Sequence, residues 1–419
     1  MADHRFPGWP KGLNNVARPD QVPSDAMTKA VNVDLMPDGK PARRKGRTQV
    51  YSGTDMHSAY GAETFFLAVE NGALKRWVDF NVTPLTIATG VAGVVSYVQL
   101  NDMVVWGSAS HLGAIDMQGQ PINFGLQAPT AQPDLTAITV GGMYEGTYQV
   151  AVTFVTNSGV ESGTGKAAVV EVQDGGGIQI TSIPQPEDDD ATGIVIYASQ
   201  ANGSVLYARM MVEVGTTSVD LGYLPQRRPL STQFTTQLPK TNLIASYNGR
   251  MYAMDGAVVH FSEPLKFWST HETEGFFYEA SAGNMLLAGE TGIFVGCDQG
   301  VFFYRGDDPG NFTRSYVSHP AITDAALSLD GEFIDPSIAG QTVALWWTVE
   351  GVLVAGMPDG SIEPIREAEF RIPDAERGVM APLTREGIKQ VVSVMKNPGT
   401  ESSMGFSSSM DIEVHRHGV

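Results

Sequence analysis

Carboxylates and histidines are the residues best equipped for chemistry here, and they fall into small, separated groups. His415 and His417 would project from one face if residues 411–417 form a strand, offering two nitrogen ligands. Two ligands do not make a site, and chain ends fray, so no metal site is assigned. Asp188-Asp189-Asp190 has the charge density of a calcium loop. Three consecutive acids cannot all converge on one ion in a strand, so a solvated loop is the reading taken. His271-Glu272-Thr273-Glu274, Asp307-Asp308 and Glu367/Glu369 supply the paired acids that glycoside hydrolysis needs. The S-x-D-x-G-x-x-W box of sialidase propellers is missing, as are G-x-S-x-G, H-E-x-x-H, C-x-x-C and the P-loop. No catalytic residue, cofactor-binding residue or cofactor is assigned, and the chain is not expected to be an enzyme.

Two other groups have a bland and a sharper reading. Cys297 is the only cysteine, which excludes an internal disulfide and leaves a small buried hydrophobe as its simplest role. The basic run Arg43-Arg44-Lys45-Gly46-Arg47 is either a solvated turn or a docking patch for an acidic partner through Arg43, Arg44, Lys45 and Arg47.

The charge balance narrows the partner class. Formal charge is −19 over 419 residues, yet residues 1–50 hold nine Lys and Arg against five Asp and Glu, leaving 18 against 41 beyond them. A body that acidic argues against ordinary DNA binding, which needs cations on the phosphates. It suits letting a polyanion pass without sticking, or simply solubility. The N-terminus shows no apolar h-region and no run approaches eighteen apolar residues, so neither a secretion signal nor a membrane span is expected. Folding in a reducing cytoplasm is the expectation.

The elements that would carry these groups are short strands. Hydrophobic residues make up 42% of the chain and charged residues 17%, with 46 Gly and 24 Pro, the balance of many strands joined by many turns. The clearest unit runs from Ser246 to Ser262, where Asn248-Gly249 and Asp255-Gly256 separate apolar, aromatic segments. Both dipeptides tolerate the positive φ of hairpin turns, giving strand, turn, strand, turn, strand. Related units start near Ala62, Tyr97, Leu286, Ala344 and Leu383, with first turns near 63, 101, 249, 291, 350 and 386. All but one spacing lies near that of propeller blades. Six blades are counted, with five or seven still open. Residues 31–35 or the C-terminal strand 410–414 would complete one blade and fasten the ring.

The remaining gap holds an insertion, residues 128–238. Tyr148, Val150, Val152 and Phe154 alternate before the turn Asn157-Ser158-Gly159, and further strands are expected at 167–172, 177–183, 193–198 and 204–212, ending at 217–220. Turns at that spacing fit a β-sandwich of immunoglobulin or fibronectin type III kind. The fold class is therefore all-β: an extended N-terminal arm (1–29), propeller (30–127), inserted sandwich (128–238) and propeller again (239–419). Adjacent aromatics such as Trp346-Trp347 would point to opposite faces of an internal blade that is buried on both.

Several stretches resemble structural proteins of tailed-bacteriophage virions. They are Gly12-Leu13-Asn14-Asn15, Pro19, Ala30 to Asp34, and Gly39 to Gly46, then Thr153 to Ser162, Val195-Ile196-Tyr197, Asn248 to Tyr252, Phe261 to Pro264, and the ending Ile412 to Val419. The resemblance implies a β-propeller tail protein of the nozzle or hub type. It implies a homo-oligomeric ring, commonly of six, that sits below the portal and adaptor and extends the DNA exit channel toward the tail fibre or tip proteins. DNA would pass without specific binding, there would be no membrane anchor, and the protein would reside in the virion after assembly in the bacterial host cytoplasm. The alternative is a minor tail protein binding host glycans, for which the insertion offers chiefly Tyr144 and Tyr223. A glycosidase is the third and weakest reading.

Overall fold

The computed structural model describes the chain apart from residues 1–7, 32, 36–39, 44–48, 189, 224, 226, 373, 386–387, 397–409 and 416–419. Its regular structure is almost wholly β, the exceptions among the described residues being three short 3₁₀ turns.

Six antiparallel sheets succeed one another as blades. Blade one comprises Met56–Gly61, Phe66–Glu70, Ala73–Trp77 and Leu85–Thr89, and blade two comprises Ser96–Leu100, Met103–Gly107, Leu112–Asp116 and Pro121–Ile122. Blade three is Ile244–Tyr247, Arg250–Asp255, Val258–Glu263 and Lys266–His271, with Thr235–Gln237 and Phe276–Tyr278 added at its outer side. Blade four runs Gly283–Ala288, Gly292–Cys297, Gly300–Arg305 and Thr313–Ser318, and blade five Ala321–Asp330, Thr342–Thr348, Leu353–Gly356 and Ile362–Ile365. Blade six holds Arg377–Arg385, Ile388–Lys396 and Met410–His415. A single parallel bridge, Thr323 to Arg377, links the innermost strands of blades five and six.

The chain forms these blades because hairpin turns are cheap at the marked positions. Asn248 and Gly249 both take positive φ (43° and 74°), the pair that a right-twisted two-residue hairpin requires, and Asn71-Gly72 repeats it (51° and 69°). The innermost strands of all six blades line one cavity of about 1440 Å³. Blade faces meet through separate apolar clusters. Leu67 and Trp106 belong to the cluster between blades one and two, Val105 and Met251 to that between two and three, and Tyr252 and Val295 to that between three and four. Phe294 and Trp346 lie between blades four and five, Trp347 and Met395 between five and six. The chain is a β-propeller.

The structure departs from the expected repeat in three places. The fifth unit begins one strand earlier: Glu350-Gly351 is its second turn, because its first two strands are joined through 331–341, where 3₁₀ turns capped by Asp330 and Asp335 replace a glycine hairpin. Of the two strands offered as ring fasteners, Met410–His415 pairs with Ile388–Lys396 of blade six, whereas Val33–Leu35 pairs with Pro41–Arg43 in a two-stranded sheet of its own. Residues 8–27 form a closed loop rather than an extended arm, joined by Asn14 N–H to Met27 O (2.7 Å) and Met27 N–H to Gly12 O (2.7 Å).

The insertion consists of two sheets, one of Asp134–Ile138, Gly177–Thr181 and Val219–Leu221, the other of Ala168–Val172, Gly146–Val155, Gly193–Ala198 and Tyr207–Glu213. They enclose a common core of Val150, Val152, Phe154, Ile178, Ile180, Ile194 and Ile196. Thr235–Gln237, inside the expected limit of the insertion, pairs with blade three.

Candidate functional site

Of the basic patch, Arg43 is exposed at the end of its strand, while Arg44, Lys45 and Arg47 lie outside the described residues. The acidic groups are brought together with cations and backbone amides rather than with each other. Asp308 caps the 3₁₀ turn at Pro309–Asn311 and pairs with Arg250 at 2.9 Å. The Gly310 amide holds the Asp308 carboxyl below its ordinary range, with Arg250 adding to the effect. Asp307 contributes its carbonyl, which accepts from Asn248 Nδ2 at 2.7 Å. Glu367 pairs with Arg371 (2.9 Å) and Glu369 with Arg366 (3.8 Å), both on the surface. In the His271–Glu274 turn the Thr273 amide donates to His271 Nδ1 (3.3 Å), and both glutamates are exposed.

The acidic run of the insertion acts as a brace. Asp188 Oδ2 accepts from the Gln127 amide at 3.0 Å and Asp190 Oδ2 from Asn123 Nδ2 at 3.1 Å, so the loop ties the sandwich to the segment by which the chain leaves blade two. Asp189 lies outside the described residues. No group of three or more metal-ligating side chains occurs among the described residues. His415 lies on the terminal strand and His417 beyond the described residues. Cys297 is fully buried in blade four.

Sequence reasoning missed a device that recurs three times. Glu279, its side chain fully buried, accepts from the Tyr304 hydroxyl (2.5 Å) and pairs with Arg314 (2.7 Å), whose guanidinium lies over the Phe302 ring. Glu161 accepts from the Tyr197 hydroxyl (2.7 Å) and Thr153 (2.6 Å) and pairs with Arg228 (2.6 Å). Glu70 accepts from the Tyr51 hydroxyl (3.2 Å) and pairs with Lys75 (2.7 Å). Each carboxylate is desolvated and matched by one phenol and one cation, the arrangement a buried charge requires. Burial pushes the phenols of Tyr197 and Tyr304 up, and the neighbouring glutamates push them further. The partners are 36, 25 and 19 residues apart in sequence, and no local pattern marks them.

The central cavity is the concave feature that all six blades share. Its charged lining is Glu290, Asp307 and Asp324 against Arg377 and Lys396, so the acidity of the body is not concentrated there. Tyr60 and Tyr97 stack at 4.9 Å on its wall, and burial raises both phenols. Asp324 occupies left-handed backbone (φ 60°) at a bulge in blade five. Its carboxylate accepts from Asn242 of blade three (3.4 Å) and pairs with Arg377 of blade six. One strained residue thus ties three blades at the mouth of the cavity.

No family model matches the chain, and no curated protein matches it. Among solved structures it is similar to BBS1N in complex with ARL6DN, with 10% identity, 88% of this chain and 94% of that chain covered and a TM-score of 0.36. It is also similar to Hsv2 of Kluyveromyces lactis (8%, 80% and 87%, 0.29) and to AztD of Citrobacter koseri (10%, 86% and 86%, 0.33). Likenesses at these scores carry no argument. The propeller rests on the six sheets and their common cavity.

Proposed function

We propose that the chain is a non-enzymatic structural subunit of a bacteriophage tail, a nozzle or hub protein that assembles into a ring around the exit path of DNA. The observation that carries this reading is the use made of the buried carboxylates. Glu70, Glu161 and Glu279 are each tied to a phenol and a cation, so the best-placed acids hold the scaffold and are not free to act on a substrate. The sequence resemblance supports the virion assignment, and the acidic body supports passage of DNA without adhesion. The propeller's own cavity is nearly balanced in charge, so in this reading the acidic surface that lets DNA pass is that of the bore between subunits. Neighbours would be further copies of the chain, the portal or adaptor above and fibre or tip proteins below. The insertion fits the immunoglobulin or fibronectin III kind, in that its four-stranded sheet joins the third, second, fifth and sixth strands as a C′-C-F-G sheet does. Native mass measurement and cryo-EM of the particle test the proposal. A ring, with six copies expected, at the tail channel supports it, and density in fibres or on the capsid surface overturns it.

A second reading has one specific observation in its favour. Tyr144 and Tyr223 of the insertion are 66% and 62% exposed and meet edge to face at 6.2 Å. Exposed aromatic faces suit sugar rings, so host-glycan binding would centre there. A glycan array with the intact protein and its Tyr144→Ala variant decides: binding lost in the variant favours this reading, and no binding by either removes it.

A further inference from the structure

The insertion and the propeller meet at a cleft of about 890 Å³, within the range of about 300–1,000 Å³ usual for ligand clefts, which favour such boundaries. Both connecting segments line it: residues 127–130, by which the chain leaves blade two, and the stretch 233–240, by which it returns to blade three. The walls are tied to each other. Glu161 of the insertion pairs with Arg228 of the returning segment (2.6 Å), and the Leu230 amide donates to Leu206 O (2.9 Å). A Cβ on Gly163 would lie 1.7 Å from the Thr235 carbonyl oxygen, and one on Gly165 2.5 Å from that of Pro129. Glycine at both positions lets this turn of the insertion seat against both segments.

Phe234 lines the cleft in left-handed backbone (φ 60°) and is 55% exposed. Both features are unfavourable in the chain alone, because bulky residues rarely take positive φ and an exposed ring forgoes burial. The loop is nonetheless held firmly. The Glu272 amide donates to Phe234 O (2.8 Å), and the Thr235 hydroxyl donates to Thr232 O (2.9 Å). Backbone strain maintained in this way is characteristic of ligand clamps.

We infer that this cleft binds an acidic oligosaccharide, with a sugar ring against Phe234 and its carboxylate at Lys166 and Lys240. Both lysines line the cleft and are exposed, and Glu272 is the acid among the lining residues, which leaves the site a net positive charge. Gln149, Gln233, Thr130 and Thr164 add amides and hydroxyls, groups that donate and accept as sugar hydroxyls require. Ala151, Leu206 and Leu238, none more than 2% exposed, give an apolar floor for the C–H face of a ring. A single nucleic-acid strand would also stack on an aromatic ring, but its binding is carried by many cations on many phosphates. Two lysines on a chain of net charge −19 match a carboxylate better than a run of phosphates. Tyr144 and Tyr223 are not part of this cleft.

Calorimetric titration of the full chain with tetragalacturonate, maltotetraose and a thymidylate tetranucleotide tests the inference. Tetragalacturonate is expected to bind more tightly than the other two. Phe234→Asn removes the ring but keeps a residue that tolerates left-handed backbone, and should weaken binding at least about ten-fold. Lys166→Gln combined with Lys240→Gln should weaken tetragalacturonate by a similar factor and remove its advantage over maltotetraose. Tyr144→Ala should change nothing. No binding of tetragalacturonate by the native chain at about 1 mM overturns the inference, as does unchanged affinity in the Phe234 or the double lysine variant. Tighter binding of the tetranucleotide overturns the ligand class, and loss of binding in Tyr144→Ala overturns the site. If Phe234→Asn does not fold, the lysine pair, both members exposed, carries the decision. None of these results depends on whether the protein forms a ring of subunits, so failure here and failure of the proposed tail function are separable.

Discussion

The two faces of blade five and the two faces of blade six show what closes a propeller. In blade five, consecutive tryptophans on the strand Thr342–Thr348 point to opposite sides and both reach zero exposure. Trp346 fills the junction with blade four and donates to Ser318 Oγ at 3.1 Å; Trp347 fills the junction with blade six and donates to Ser393 Oγ at 2.9 Å. Large aromatic area with a satisfied indole N–H seals both sides of one sheet. In blade six the apolar cluster found among the described residues lies on the face toward blade five. Met380, Val391 and Met395 enter the cluster with blade five, whereas Val379, Ala381 and Leu383 are exposed on the other face. The alternation of the strand Arg377–Arg385 thus sorts its residues into a core side and a more exposed side.

The strongest way to break this comparison is to empty a sealed junction. Trp347→Ala is expected to cost about 3–5 kcal/mol, the range for deleting a large buried aromatic, and also to strand the Ser393 hydroxyl. Chemical denaturation should show a lowered midpoint. If the loss is below about 1 kcal/mol, the tryptophans do not seal the blades and the contrast fails.

A smaller effect is expected at Asp324, which joins blades three, five and six. Asp324→Asn keeps a residue that tolerates left-handed backbone while removing the charge that Arg377 meets. The expected loss is about 1–2 kcal/mol, the size of a hydrogen bond to a charged group, discounted because Arg377 is half exposed. It should appear as faster exchange in residues 377–396 before any change in blade two. Uniform exchange would show that Asp324 serves the ring as a whole and not its last blade.

Much of this architecture could be read from residue order, and the parts that could not share a cause. Asn-Gly turns and alternating strands are local, so the units at 63, 101, 249 and 291 stand where the pattern put them, as do the strands of the insertion apart from its first, Asp134–Ile138, which was not expected. The opposed facing of Trp346 and Trp347 followed from alternation alone. The fifth unit slipped by one strand because residues 331–341 connect its first hairpin without the glycine signature. Partner choice was illegible wherever it depended on distance in space. Glu279 finds Tyr304 and Arg314 only after blade four has formed, and Asn15 finds Arg371 across 356 residues. Asp188 and Asp190 were readable as a charged loop, but not as a brace onto Asn123 and Gln127. The basic run was legible as charge, but its use was not, since charge alone names no partner.

Acid provides a finer test on blade one. The Lys75 ammonium, hydrogen-bonded at 2.7 Å, holds the Glu70 carboxyl below its ordinary range, and the Tyr51 hydroxyl adds to this. A carboxyl lowered in the folded state binds its proton more weakly there than in the unfolded chain. Its stabilisation is therefore complete above the unfolded value of about 4.3 and is lost as pH falls through the folded value. Blade one should loosen below about pH 4 in the native protein, and Glu70→Gln should flatten that dependence. Exchange at Phe66–Glu70 and Ala73–Trp77, followed between pH 6 and 3, measures it. An unchanged slope in the variant would remove Glu70 from the account of acid opening.

The smallest expected effect is also the sharpest discriminator, because it compares neighbouring residues of one strand pair. Gly378 pairs with Met395 and Val379 with Val394 in the same register. Met395 is 2% exposed and packs against blade five, so Met395→Ala should cost about 2–5 kcal/mol through lost burial and the cavity left behind. Val379 is 57% exposed, and Val379→Ser should stay within about 0.5 kcal/mol, as substitutions at exposed positions away from special features do. The ratio of the two, from denaturation midpoints in one buffer, reports whether the two faces differ as the structure has them. If Val379→Ser costs as much as Met395→Ala, something covers that face in solution, and the sixth blade is sealed on both sides after all.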